Sequence, residues 1–87
     1  MPRISYFHGI VILMFSNEAH HSVGHFHARS AEHHASLRCD GSMLAGSLPP
    51  SDLRLVRKWA ALHQDELEAN WQRARRGDRV HPIDPLA

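Results

Sequence analysis

The chain is predicted to be an α+β protein: an antiparallel meander of three or four strands packed on one long C-terminal amphipathic helix. Three observations predict this. Up to Leu48, apolar residues alternate or run together in short β-branched and aromatic stretches, and beyond it they recur at spacings of three and four. Asp40-Gly41 lies between apolar flanks, the two-residue signature of a hairpin. Pro49-Pro50 then ends the last strand and leads into the helix.

The strands fall at about residues 4–15, 25–30, 34–39 and 43–48, the helix at about 51–76 and an extended tail at 78–87, all within one domain, 1–87. "ISYFHGIVILMF" is rich in strand formers, and Gly9 interrupts it with a bend or a tight hairpin, so the stretch is one strand or two. "SNEAHHSVG" is polar and reads as a loop. "HFHARS" alternates, with Phe26 and Ala28 on one face and His25, His27 and Arg29 on the other. In "HASLRC", Ala35, Leu37 and Cys39 share a face, and "MLAGSL" completes the meander. Ser51 is the expected N-cap, with Pro50 or Asp52 as one-residue alternatives, and Gly77 is the expected C′ residue. Leu53, Val56, Ala60, His63, Leu67, Trp71 and Ala74 form the apolar stripe, widened by Leu55, Trp59 and Leu62. A break near Gln64–Asp65 would divide this helix in two. The tail "DRVHPIDPLA" carries two prolines and is either docked or mobile.

Composition narrows the function classes. Ten basic and nine acidic residues leave a formal net charge of +1, too balanced to identify a nucleic-acid binder by charge. The longest apolar run, Ile10–Phe15, is far short of the ~20 residues a membrane helix needs. The first nine residues, "MPRISYFHG", have no apolar signal region, and a single cysteine, Cys39, excludes an internal disulfide. These features lead to the expectation of a soluble cytoplasmic protein.

Histidine is the outlying residue type. Six of nine lie between His20 and Leu37. His25 and His27 point to one face about 7 Å apart, and His21 in the preceding loop could fold back beside them. Three neutral imidazoles with an open position would suit Zn or Ni, with Glu18 or Glu32 as a carboxylate supplement. Without metal, His25 and His27 offer an acid and a base for RNA cleavage, and Arg29 on the same face offers a bidentate phosphate contact. The third reading is a binding module, presenting an edge strand or the outer helix face to a partner. His63 reads as a core histidine bonded to a backbone carbonyl, with Glu66 at i+3 as the alternative that brings it toward the strand histidines. Trp59 and Trp71 read as core anchors, and Cys39 as an inert buried residue.

Three motifs carry a resemblance: His-x3-His-Phe-His at His21, His25, Phe26 and His27; Gly-x-Leu-Pro at Gly46, Leu48 and Pro49; and Trp-x3-His-x2-Glu-Leu at Trp59, His63, Glu66 and Leu67. With them the chain, from about Ile4 to Leu86, resembles a small bacterial family described as domain of unknown function 4160. Relatives usually carry prolines where this chain has Val23-Gly24, and Tyr-Gly where it has Ser30-Ala31. The resemblance implies no particular activity. It implies a second short protein encoded beside this one, a layout similar to toxin–antitoxin pairs, and hence a small protein partner. RNA and a second copy of the chain are the other expected partners, and no resident cofactor is expected unless Zn or Ni is bound.

Overall fold

The computed structural model describes residues 3–15 and 23–87. His8 and Gly9 both adopt positive φ, 50° and 77°, the two-residue turn whose twist suits a hairpin. The stretch over 4–15 is therefore two strands, β1 (Arg3–Phe7) and β2 (Ile10–Leu13), closed by the Phe7/Ile10 pair. β3 (His25–Ser30), β4 (His33–Arg38) and β5 (Met43–Ser47) follow. Among the described residues the sheet has five strands, antiparallel throughout, in the order of the chain. The expected three or four strands are thus exceeded by one, because a short glycine turn reversed the chain where a bend would have continued it.

Ala31, with φ of 51°, begins the turn between β3 and β4. An L-residue is strained there and glycine is not. Ala31→Gly is expected to stabilise the protein by roughly 0.5 kcal/mol, part of the relieved strain being offset by the freer unfolded chain. A melting temperature raised by about 2–4 °C would register it. The β4–β5 connection also differs from expectation. Four residues, Cys39–Ser42, join the strands rather than the pair Asp40-Gly41. Cys39 stays in the core, and the reversal is held by Gly41 N–H donating to the Arg38 carbonyl (2.8 Å) and by Ser42 N–H and Oγ donating to Asp40 Oδ1 (2.9 and 2.7 Å). The Ser42 bonds hold the fully exposed Asp40 carboxyl below its ordinary pKa.

One long helix was expected over 51–76, and two are found: α1 (Pro50–Leu62) and α2 (Gln64–Arg75). His63 separates them with φ −123° and ψ 24°. The apolar spacing gives the reason. Val56, Trp59 and Ala60 form one buried stripe and Leu67, Asn70, Trp71 and Ala74 another, with the polar Gln64, Asp65 and Glu66 between. Re-aiming the chain at His63 buries both stripes and leaves Leu62, assigned to the stripe, 66% exposed. The N-cap also lies two residues early, at Pro49 rather than Ser51, with no side-chain cap; Ser51 is already inside the helix. Proline at the first helical position needs no capping partner, since it has no N–H to satisfy. At the far end Asp78 N–H donates to the Arg73 carbonyl across Gly77, whose φ is 77°, giving the expected glycine stop.

The helices cover one face of the sheet. Ile12, Ala28, Ala35 and Gly46 are register neighbours across four strands, and three of the four are small. Ser30 Oγ donates to Asp52 in the first turn of α1 at 2.6 Å. Trp59 is fully buried, its rings 5.4 Å from Phe7 and 5.7 Å from Phe26. The tail docks: Ile83 is buried and its N–H donates to the Ile4 carbonyl at 2.7 Å, while Trp59 Nε1 donates to the Asp84 carbonyl at 2.8 Å. Asn70 is 0% exposed and clamps His81 in both directions, its Nδ2 donating to the carbonyl and its Oδ1 accepting from the N–H, each at 2.8 Å. No helix among the described residues is long and apolar enough to cross a membrane.

Candidate functional site

Strand alternation places His25, His27 and Arg29 on the sheet face opposite α1, as the sequence requires. Their exposure differs from that of a solvated face. His25 and His27 are each only 7% exposed, and Arg29 is exposed. His27 lies across from Leu13 on β2 and Ser36 on β4, and Arg29 across from Val11 and His34. The Phe15 ring covers His27 edge-on at 4.9 Å. Trp71 reaches round the start of β3, with its ring 5.1 Å from His25 and only 3.1 Å from any Cβ built on Gly24. Gly24 therefore makes room for the indole.

The imidazoles are engaged with one another and with backbone. His25 Nδ1 donates to the Val23 carbonyl at 3.0 Å, which fixes that tautomer. His27 Nδ1 and His34 Nε2 lie 2.9 Å apart in a bond that one ring donates and the other accepts, the rings stacked at 5.0 Å. The Ser36 hydroxyl lies 3.4 Å from the same His27 nitrogen. His34 is exposed, so a buried ring holds a solvent-facing one in place. Strand alternation allows only one of the neighbours His33 and His34 on this face. The β3–β4 register chooses His34, since it opposes Arg29 while His33 opposes Ser30.

His21, the remaining member of the proposed metal set His21, His25 and His27, lies outside the described residues, as does Glu18. Among the described residues no three His, Cys, Asp or Glu side chains are gathered to hold a metal ion. His63 departs from expectation in its partner: Nδ1 bonds the Glu66 carboxylate rather than a backbone carbonyl. Its ring lies 5.7 Å from Trp59, on the helix side of the sheet, so it does not join the strand histidines.

Because His27 is buried and paired, His27→Ala is expected to cost about 2–3 kcal/mol from the cavity and the orphaned His34 nitrogen together. Thermal melting beside Arg29→Ala, expected to change stability by less than about 0.5 kcal/mol, measures the contrast. Cys39 behaves as the sequence suggests. Burial, then the charges of Glu68 and Asp40, push its thiol from 9.0 up to about 12. The neutral thiol is the form the fold prefers, so its contribution to stability is complete below pH 9 and is lost as pH rises toward 12. At pH 8 folded protein is expected to resist iodoacetamide while denatured protein is alkylated, and mass spectrometry distinguishes the two.

The fold and face now described define a small α+β protein whose sheet carries a histidine-lined face of cationic character. A sequence model for domain of unknown function 4160 matches residues 9–72, and the chain belongs to that family. No curated protein and no solved structure matches it.

Proposed function

We propose that this is a cytoplasmic bacterial binding protein, one half of a toxin–antitoxin-like pair, and that its short partner protein docks on the β5 edge of the sheet. The inequality of the two sheet edges carries this reading. The β1 edge is bonded by the chain's own tail at Ile4. β5 pairs on one side only among the described residues; Met43 is half-buried and Leu44 to Ser47 are exposed. "MLAGS" holds none of the charges or prolines that commonly guard an edge strand, and Leu44 beside the unpaired edge is 37% exposed. Such an edge accepts an added strand through backbone bonds, with side-chain pockets supplying specificity. The partner in this reading is the short neighbouring protein that the family resemblance implies. A lysine at the edge opposes strand addition, so Leu44→Lys is expected to abolish complex formation with that neighbour without lowering the melting temperature. Complex formation unchanged by Leu44→Lys would remove β5 as the docking site.

A metal-free ribonuclease using His25, His27 and Arg29 is the second reading. A general base must come within about 3 Å of the proton it takes. The exposure of His34 beside Arg29 supports acid–base work there, with His27 as its support. RNA cleavage lost in His34→Ala and retained in His33→Ala would favour it. A Zn or Ni centre through His21, His25 and His27 is tested by elemental analysis of untagged protein purified without metal resin, which would find about one ion per chain if the site is physiological.

A further inference from the structure

One row of side chains crosses the whole sheet on the face away from α1. Tyr6 opposes Val11, Val11 opposes Arg29, Arg29 opposes His34, and His34 opposes Ser47, so one residue from every strand lies on a single line. Four inter-strand steps make the line about 19 Å long. Unlike Leu13 and His27 in the next row, these residues are open: Tyr6 is 54% exposed, Val11 is half-buried, and Arg29, His34 and Ser47 are exposed. The Arg3 guanidinium stands over the Tyr6 ring at 5.6 Å, adding a second cation. All formal charge on the five strands is positive, from Arg3, Arg29 and Arg38, with no carboxylate on any of them. Arg38 is turned to Ser42 and the Met43 carbonyl, and the nearest carboxylate along β3 is Glu32, in the turn beyond Ser30.

We infer that the row Tyr6–Val11–Arg29–His34–Ser47 binds single-stranded RNA. The ring and guanidinium planes at Tyr6 and Arg3 suit unstacked bases, while Arg29, His34 and Ser47 supply donors to phosphate and ribose. A sheet face of this kind stacks roughly two or three bases in known RNA-binding modules. An exposed aromatic beside cations distinguishes the row from the helix surface, where Asp65, Glu66 and Glu68 separate the basic residues Arg54, Arg57 and Lys58 of α1 from Arg73, Arg75 and Arg76. The inference is independent of the β5 docking reading and requires no cleavage.

The test is fluorescence anisotropy with a labelled oligouridine of about ten nucleotides, using full-length protein at low salt. Binding is expected to weaken as salt rises, and Tyr6→Ala and Arg29→Ala are each expected to raise Kd about tenfold at an unchanged melting temperature. Arg75→Ala, on α2, is expected to leave Kd within about twofold. Ser47→Lys adds a cation to the row and is expected to tighten binding several-fold, a gain that misfolding cannot imitate. Absence of binding at low salt overturns the inference. So do equal losses from Arg75→Ala and Arg29→Ala, which mean diffuse charge attraction, and an acidic peptide that displaces the RNA while Tyr6→Ala has no effect, which means a protein-binding surface.

Discussion

Gly46→Ala is expected to destabilise the protein by about 3–5 kcal/mol, lowering the melting temperature by roughly 15 °C or more. Gly46 has φ of 78°, and a Cβ added there would meet the His34 carbonyl oxygen at 2.2 Å and Ala35 Cα at 3.0 Å. Both obstacles are backbone, so no rotamer change relieves them. The left-handed conformation alone costs an L-residue roughly 1–3 kcal/mol. The remainder comes from prising β5 away from β4 next to the register shift between Ser36 and Leu37. Gly9→Ala supplies the control, because Gly9 has the same φ of 77° with nothing within 4 Å of the added Cβ. If thermal melting showed equal costs for the two substitutions, the close approach at Gly46 would be refuted. The Gly-x-Leu-Pro motif gains a physical meaning from this geometry: Gly46 allows the strand contact, Leu48 is buried, and Pro49 and Pro50 set the helix start.

Asn70→Leu is expected to cost about 2–4 kcal/mol, an unusually large loss for replacing a polar residue by an apolar one of similar size. Both backbone groups of His81 depend on Asn70, whose Oδ1 also accepts from Arg73 at 2.8 Å. The substitution leaves a buried donor and acceptor without partners, and it frees the tail that covers the β1 edge. Limited trypsin digestion is expected to cut Asn70→Leu after Arg79 under conditions where wild-type protein resists. A variant with wild-type melting and wild-type digestion would show that the tail is held by Ile83 and Trp59 alone.

How far the sequence could be read depended on which signal each element left. Period-2 alternation in "HFHARS" put Phe26 and Ala28 toward the helix and His25, His27 and Arg29 away from it, and the structure agrees. Gly9 was visible as an interruption, but a bend and a reversal leave similar marks when apolar residues continue on both sides. The helix stripe was legible residue by residue, whereas the break at His63 depends on which face each half turns to the sheet. The burial of His25 and His27 was not legible, because it comes from Trp71, 46 residues beyond His25 in the chain, and from the ring of Phe15. Asn70 gave no signal at all: it sits at a polar position of a helix, and only the docked tail reveals why it is buried. His34 became distinguishable from His33 once the β3–β4 register was known.

The proposed docking of a partner on the β5 edge is tested most directly by hydrogen exchange of the chain alone and co-purified with the proposed short partner protein. Added-strand docking predicts a 1:1 complex in which backbone amides of Met43–Ser47 gain protection, while those at the tail-covered β1 edge do not change. A stable complex with β5 amides exchanging as they do in the free chain would contradict the account, as would the absence of any complex at concentrations well above those in the cell.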